Sequence, residues 1–283
     1  MQKIDSHQHF WIYHPVKDSW ITADMAVIQR NFLPADLYPL LEQNAVSGCI
    51  AVQADQSEQE TMFLLDLAAK NTFVKGIVGW VDLRADDIEE RLKFFSNYPL
   101  VKGFRHVVQA EPDLNFLVGE QFKRGISLLA KYQFTYDLLV RTAHLPAAIE
   151  LVKEFPDQRF VIDHLAKPDI VLNKPADWET AMETIAQYPN VYCKVSGFCT
   201  EADWENWRAE DITPYLDVVF KLFGPNRVMF GSDWPVCLLA GGYQKTVQVL
   251  EAYVTQFPLP DQEKFWSDNA SAFYRIADLT TKA

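Results

Sequence analysis

The sequence predicts an α/β protein: a single (β/α)8 TIM barrel with a long loop after the first strand and a C-terminal helix. Eight short β-like runs alternate with segments whose apolar residues recur at three- and four-residue steps. The chain has 283 residues, which accommodates the roughly 250 residues that such barrels use. A doubly wound parallel sheet is the main alternative fold. It usually has fewer strands and a glycine-rich phosphate turn after the first one, where this chain reads DSHQHF.

The predicted elements follow one another with regular stop signals. One helical segment places Leu216, Val219, Phe220 and Phe223 on one face and ends at Gly224. Prolines similarly end helices shortly before the fourth, sixth and seventh runs. The eight runs lie at residues 2–4, 48–53, 74–81, 101–104, 135–139, 159–162, 191–194 and 227–230.

The segment 260–276 carries four aromatic residues and predicts a last helix packed on the barrel. No linker rich in Gly, Ser or Pro divides the chain, and no internal repeat is found. We therefore expect residues 1–283 to form one domain.

Composition narrows the functional classes. The chain is 49% hydrophobic and 23% charged, which excludes a disordered chain. Lys and Arg number 26 against 38 Asp and Glu, a net charge of −12, so no nucleic-acid partner is expected.

No apolar run approaches the roughly 20 residues of a membrane span, and the N-terminus lacks the pattern of a signal peptide. We expect a cytoplasmic protein whose four cysteines are buried, reduced thiols.

Candidate catalytic residues fall where the predicted strands end. In a barrel of this type the active site is built at the carboxyl ends of the strands. Residues two apart in an extended segment face the same side, so the two histidines after the first run should converge. Histidine, arginine or aspartate residues follow four different strands, and this joint placement indicates a polar pocket. Burying such a side chain without a polar partner costs free energy, so we expect these side chains to lie together. The residues are His7 and His9, Arg105 and His106, His164, and Asp233, after the first, fourth, sixth and eighth runs.

Aromatic residues in the loops suggest a ring-shaped substrate. Apolar faces of sugar-derived rings pack on indoles, and we expect Trp11 and Trp234 to serve this purpose. Near the ends of the second and third runs, Gln53, Trp80 and Asp82 are candidates for reading hydroxyl groups. The alternative is that the loop aromatics cover the barrel mouth or form a contact between copies in a homo-oligomer.

The motifs together resemble a known family. DSHQHFW, KGFRH, FVIDHLAKP, KVSGF and FGSDWPV, in this order, are similar to the amidohydrolase superfamily and, more narrowly, to its lactonase branch, which includes L-fuconolactone and L-rhamnonolactone hydrolases. The resemblance spans residues 4–274. It implies that Asp233 is the general base that activates water, that His164 orients this water or polarises the carbonyl, and that the substrate is a small-molecule lactone.

The resemblance leaves the metal content open. His7, His9, His164 and Asp233 match the ligands of zinc-dependent members. The fifth run offers Asp137 or Arg141 instead of their histidine, and the fourth offers Arg105 instead of a bridging Lys or Glu. A binuclear centre is therefore disfavoured, and the alternatives are a single zinc or manganese ion and no metal.

Without a metal, the permanently charged Arg105 and the histidines would stabilise the oxyanion. The sequence thus predicts hydrolysis of a sugar-derived lactone to its hydroxy acid. Two alternatives stay open, namely a metal-dependent decarboxylase of the same superfamily and a non-catalytic barrel that binds a sugar acid.

Overall fold

The computed structural model describes residues 2–172 and 175–276, and within them the predicted barrel is confirmed. Each strand pairs in parallel with the next one along the chain, in the order β1 to β8. The strands are β1 Lys3–Gln8, β2 Val46–Val52, β3 Val74–Gly79, β4 Val101–His106, β5 Thr135–Leu138, β6 Phe160–Ile162, β7 Val191–Val195 and β8 Val228–Phe230.

The first and last strands meet at their carboxyl ends and nearly close the barrel. The amide of Asp233 donates to the carbonyl of His7 at 2.8 Å, and the amide of His9 donates to the carbonyl of Trp234 at 2.7 Å. The segment after β8 is therefore fixed directly beside the segment that leaves β1.

Helices surround the sheet and cover its outer face with apolar side chains, as β/α alternation requires. The helices between and after the strands are α1 Pro34–Gln43, α2 Glu58–Lys70, α3 Ile88–Phe95, α4 Glu120–Leu129, α5 Leu145–Glu154, α6 Ala176–Ile185, α7 Ala209–Phe223 and α8 Gly242–Val254. Short 3₁₀ segments lie at Ala23–Ile28, Val108–Ala110, Phe116–Val118, Ala130–Tyr132, Thr142–His144, Asp163–Ala166, Phe198–Glu201 and Val236–Ala240. The predicted stop of α7 is confirmed, since it ends at Phe223 before Gly224 with φ of 65°.

Two strands extend further than the sequence predicts. His7 lies inside β1 rather than after it, and Arg105 and His106 complete β4. The predicted runs ended at Ile4 and Phe104, before the polar residues that complete these strands. In the structure His7 and Arg105 point into the barrel and lie 3.2 Å apart, whereas His106 faces the other side of β4 and packs on Phe116.

The loop after β1 is long, as predicted, and folds back on itself. Trp11 and Phe32 exchange backbone hydrogen bonds at 3.0 and 2.9 Å, which close the loop into a compact flap. Both side chains are buried, so the flap is part of the packed structure at the barrel mouth.

The predicted last helix is a helical segment of three consecutive parts. Leu259–Glu263 and Asn269–Phe273 are α-helical, and Lys264–Asp268 between them is a π-helical turn. The side chain of Asn269 donates to the carbonyl of Val228 at the start of β8, and Arg159, just before β6, donates to the carbonyl of Ala272. We call residues 259–276 the C-terminal plug, because they cover the amino-terminal end of the barrel.

The four cysteines, Cys49, Cys193, Cys199 and Cys237, are buried free thiols. None of the helices in the described residues has the length and apolar character needed to cross a membrane.

Candidate active site

A cavity of about 360 Å³ opens at the carboxyl ends of the strands, within the size range of small-molecule sites. Five of the predicted site residues line it. Other side chains on its wall were not singled out from the sequence, including two lysines and a second tryptophan. The lining residues are His9, Trp11, Lys17, Trp20, Ala54, Asp55, Gln56, Arg105, Val107, Gln109, Ala110, Leu139, His164, Lys167, Asp233 and Val236.

The carboxylate of Asp233 is surrounded by imidazoles. Its Oδ1 lies 3.4 Å from Nε2 of His9 and 3.8 Å from Nε2 of both His7 and His164. Within residues 2–172 and 175–276, no Lys or Arg nitrogen approaches this carboxylate within 4.0 Å. Asp233 is thus a buried carboxylate at the cavity wall without a permanent cationic partner in the described structure.

The protonation states suit a base. Burial alone would raise the pKa of Asp233, but His164 and His9 together bring this pKa below its usual value. Burial lowers the pKa of His164 and His7 well below that of a free imidazole. At neutral pH the ionised carboxylate of Asp233 therefore faces neutral His7 and His164.

The orientation of His9 is fixed by the barrel wall. Its Nδ1 lies 2.8 Å from the carbonyl oxygen of Val52. A carbonyl only accepts hydrogen bonds, so Nδ1 of His9 carries a proton, and the ring is held with Nε2 facing Asp233.

His164 enters the site from an unusual backbone segment. Residues 164–167 all have positive φ, between 51° and 58°, a conformation that costs about 1 kcal/mol or more per residue for side chains with a Cβ. The run turns both His164 and Lys167 to the cavity, and Nδ1 of His164 lies 2.9 Å from the hydroxyl of Ser196. Strain of this kind at a cavity wall is typical of functional sites.

Gly197 makes room for the side chains of His164 and Asp233. Its φ is 58°, and a Cβ there would lie 2.4 Å from Nδ1 of His164 and 3.1 Å from Oδ2 of Asp233. The glycine in the KVSGF motif is thus required by the close approach of β7 to the imidazole and the carboxylate.

A layer of ion pairs lies directly beneath the cavity. Arg105 contacts Oδ2 of Asp163 at 3.1 Å, and the ammonium of Lys194 lies 3.0 Å from Oδ1 of Asp163 and 2.5 Å from Oδ2 of Asp137. Burial raises the pKa of Asp137, whereas Lys194, His7 and Arg105 overcome the effect of burial on Asp163 and lower its pKa. The two carboxylates of this layer are thus paired with two cations directly beneath the cavity.

Sequence reasoning did not assign roles to Asp163 and Lys194. Both lie inside quoted motifs, Asp163 beside the histidine of FVIDHLAKP and Lys194 at the start of KVSGF. A charged residue within an apolar strand was the available signal, because such a residue is rarely buried without a partner.

The predicted substrate-binding residues are not all at the cavity. Trp11 lines it, in edge contact with Trp20. Gln53 lies in the layer below the cavity. Its side-chain amide donates to the backbone carbonyl of Arg105 at 3.0 Å, and its backbone carbonyl accepts from the guanidinium of Arg105. Trp234 is buried against Phe32 and Phe10, so the structure does not bring it to the cavity.

Three further candidates form a neighbouring group. His106 stacks on Phe116 with ring centroids 4.6 Å apart, its Nε2 lies 2.7 Å from Glu111, and its Nδ1 accepts from the indole of Trp80 at 3.3 Å. Trp80 and Asp82 line a separate open groove that shares Gln56 with the main cavity. The structure therefore places these predicted residues beside the central cavity and not on its wall.

The donor set fits one divalent metal ion. His7, His164 and Asp233 each offer a ligand atom, and these atoms lie within 4.8 Å of one another. Two imidazole nitrogens and a carboxylate oxygen suit zinc. A second ion does not fit, because the guanidinium of Arg105 lies 3.2 Å from Nε2 of His7, and Asp137 is already paired with Lys194.

We expect purified protein that is saturated with Zn²⁺ and then desalted to retain at most one zinc per chain, because Arg105 and Lys194 already provide positive charge where a second ion would lie. Elemental analysis gives the stoichiometry. His164→Asn should lower the bound fraction, whereas His14→Asn, which changes a histidine of the first loop outside the donor set, should not. Two retained ions per chain would contradict this assignment.

Comparison with known proteins agrees with the geometry. The sequence profile of the family described as amidohydrolase matches residues 4–276. An L-fucono-1,5-lactonase of Burkholderia multivorans is 38% identical over 287 residues, which cover 98% of this chain and 97% of that protein. One of Burkholderia ambifaria is 35% identical and covers 97% of this chain and 96% of its own length.

A solved structure shares the same architecture. The crystal structure of an amidohydrolase from Burkholderia multivorans with bound zinc superposes with a TM-score of 0.93 at 37% identity, covering 98% of this chain and all of the other. Profile, relatives and structure agree over nearly the full length, so the chain belongs to the amidohydrolase family.

Proposed function

We propose that the protein hydrolyses a sugar-derived lactone of the L-fucono-1,5-lactone type to the open hydroxy acid. The observation that carries the proposal is the ionised Asp233 among three imidazoles at the wall of a small cavity. The substrate class is supported by two relatives named L-fucono-1,5-lactonase at 38% and 35% identity.

The proposed reaction begins with a water molecule beside Asp233. The carboxylate of Asp233 takes one proton from this water. The water oxygen attacks the lactone carbonyl and forms a tetrahedral oxyanion. When the ring carbon–oxygen bond breaks, Asp233 returns its proton to the leaving oxygen, which gives the hydroxy acid.

The oxyanion needs positive charge or donors close by. Arg105 lines the cavity and keeps its charge at all relevant pH values, and His164 lines it next to Asp233. Each well-placed donor contributes about 3 kcal/mol to such a transition state. Two such donors stabilise the transition state enough for hydrolysis of a reactive lactone, whereas hydrolysis of an amide would require greater stabilisation.

A zinc ion held by His7, His164 and Asp233 would polarise the carbonyl and acidify bound water. The residues that bind and orient the lactone ring remain the same in either case. Trp11 and Trp20 offer an apolar wall, and Lys17 and Lys167 offer donors to ring hydroxyls.

The pH dependence follows from the direction of the pKa shifts. The pKa of Asp233 lies below its usual value and those of His7 and His164 lie well below 6.5, so the active protonation state persists as the pH falls. We expect kcat/KM of chelator-treated protein to stay level from about pH 8 to about pH 5 and to fall only as Asp233 takes up a proton. Initial rates in overlapping buffers, corrected for spontaneous lactone opening, measure this. A half-maximal point between about pH 6 and 7 would instead assign the base to an imidazole.

A lactone panel tests the function. Acid release from 1,5- and 1,4-aldonolactones is followed with a pH indicator, on protein prepared with and without chelator. We expect the highest kcat/KM with L-fucono-1,5-lactone and lower values with L-rhamnonolactones. Carbon dioxide release from aromatic acids with one zinc per chain would favour the decarboxylase alternative. Ligand binding without turnover on any lactone would favour a non-catalytic barrel.

We further propose that the chain acts in the cytoplasm as one domain. The four buried free thiols support a reducing compartment. Whether copies associate into a homo-oligomer is decided by light scattering.

A further inference from the structure

The side chain of Gln109 lies on the cavity wall without a hydrogen-bond partner in the protein. Its Oε1 is buried, and within residues 2–172 and 175–276 no protein group bonds to this oxygen. A buried polar atom without a partner is uncommon in native proteins, because the hydrogen bond that it made to water is not replaced. At the wall of a ligand cavity, an amide of this kind indicates a group that pairs with the ligand.

Most other polar side chains on the same wall are held by protein groups. Arg105 also has one buried nitrogen without a partner, but its other nitrogens bond to Asp163 and to the carbonyl of Gln53. Gln109 therefore differs from its neighbours on the wall, because its amide oxygen is committed to no protein group. The held side chains include Lys17 with Glu60, Asp55 with Ser57, Gln56 with the amide of Val107, and Lys167 with Glu201.

The backbone that carries Gln109 is fixed on two sides. Gln109 lies in the short 3₁₀ segment Val108–Ala110, which follows β4. Its amide donates to the carbonyl of Leu139, just after β5, at 3.0 Å. Two residues further on, Glu111 lies 2.7 Å from Nε2 of His106 at the end of β4. A side chain on a backbone held in this way can select one orientation of a ligand.

The surroundings of Gln109 are apolar. Its neighbours Val107 and Ala110, and Leu139 to which it is bonded, line the cavity beside it. The last torsion of a glutamine side chain is broad and roughly two-fold, so rotation can present either the oxygen or the nitrogen to the cavity. The amide can thus accept from a hydroxyl or donate to it. A single amide among apolar side chains matches one hydroxyl on this side of a ring.

We propose that Gln109 is a specificity-determining residue whose amide hydrogen-bonds one ring hydroxyl of the lactone. This hydroxyl supplies the partner that the protein does not, so a lactone without it leaves the amide unpaired. Sites built to bond a hydroxyl discriminate against the analogue that lacks it for this reason. The effect on rate rests on the proposed lactonase function, whereas binding of an unreactive analogue does not.

The kinetic test compares wild type with Gln109→Met, which keeps the length of the side chain and removes the amide. The substrates are L-fucono-1,5-lactone and its 2-, 3- and 4-deoxy forms. We expect the variant to lose about tenfold in kcat/KM on the parent lactone, as for one neutral hydrogen bond. On one deoxy lactone the loss should shrink to within twofold, and on the other two it should persist. Any other pattern, such as an equal loss on all four lactones or no loss on the parent, would overturn the proposal.

The matched control is Gln256→Met, which changes an exposed glutamine after α8 whose side chain donates to the carbonyl of Tyr253 at 2.9 Å. It should equal the wild type on all four lactones. Because replacing Gln109 removes an unpaired buried oxygen, we expect the thermal midpoint of Gln109→Met to stay at or above that of the wild type. A large fall in this midpoint would show that the amide has a structural role and would overturn the proposal.

Binding of the 1,5-lactam that corresponds to L-fucono-1,5-lactone separates this proposal from the proposed function, because a lactam resists hydrolysis. Isothermal titration of wild type and Gln109→Met gives the two dissociation constants. We expect that of the variant to be about tenfold higher. Equal affinities, or no binding to either protein, would overturn the role of Gln109. If binding depends on Gln109 but the wild type opens no lactone, the proposed function fails and the hydroxyl contact stands.

Discussion

Asp233→Asn is expected to lower kcat for lactone opening by about 10²–10⁴-fold, the usual contribution of a general base. Asparagine has nearly the same size as aspartate, and it can still accept hydrogen bonds from the surrounding imidazoles. It cannot take a proton from water, so the chemical step fails while the cavity keeps its shape. Initial rates on saturating lactone, together with the thermal midpoint, measure the two properties separately.

The control for this variant is Asp217→Asn, which changes an exposed carboxylate on the outer helices. It should leave kcat unchanged. Near-normal turnover by Asp233→Asn would remove this residue as the base, and a collapse of its thermal midpoint would show a structural role instead.

Gly197→Ala is expected to reduce kcat/KM by about 100-fold or more, because the added methyl cannot be accommodated without moving a reacting group. The new Cβ would lie 2.4 Å from Nδ1 of His164, so the imidazole must shift away from Ser196 and Asp233. Displacement of a positioned catalytic group by about 1 Å commonly costs two orders of magnitude in rate. Steady-state kinetics and the His164 signals in ¹⁵N spectra report the effect.

The chain offers a matched control in Gly224→Ala. Gly224 also has positive φ, at 65°, but a Cβ there meets no atom within 4 Å. Gly197 lies in the left-handed region with ψ of 6°, whereas Gly224 has ψ of 176°, where alanine is more strained, so the control carries at least as large a backbone cost. Only Gly197→Ala adds the collision. Equal kinetics in the two variants would mean that the approach of Gly197 to His164 and Asp233 does not matter for activity.

The barrel was predictable because its signals are local. Eight runs of apolar residues, helical spacing between them and stops such as Gly224 are visible without tertiary information. The rule that barrel sites lie at strand ends then predicts that His7, His9, His164 and Asp233 lie together. In the structure the three histidines surround the carboxylate of Asp233.

The polar layer below the cavity was not predictable by the same rule. Asp137 and Lys194 lie inside strands, where a charged residue reads only as an interruption of an apolar run. Their pairing depends on inward-facing side chains of β5 and β7, which flank β6 in the sheet, meeting at the same level of the barrel interior, and spacing along the chain does not reveal this level. Tyr274, whose hydroxyl donates to Asp137 at 2.8 Å, is further removed, because it comes from the helical segment that covers the opposite end of the barrel.

The predicted substrate-binding residues show a second limit of prediction from sequence. The strand-end rule assigns residues to one face of the barrel but does not give their distance from its axis. Trp80 and Asp82 are at this face and line a neighbouring groove, while Trp234 turns into the apolar core. Residues 164–167, whose positive φ brings Lys167 to the cavity, include no glycine, so the sequence pattern does not predict their left-handed conformation.

The most direct measurement of the central claim is the time course of L-fucono-1,5-lactone opening, followed by NMR in parallel samples of wild type, Asp233→Asn and buffer. Each sample is run with and without chelator, and the lactone and the hydroxy acid are both observed. We predict that wild type converts the lactone at least about 10³-fold faster than buffer, with Asp233→Asn close to buffer. Equal conversion by wild type and Asp233→Asn would contradict the account.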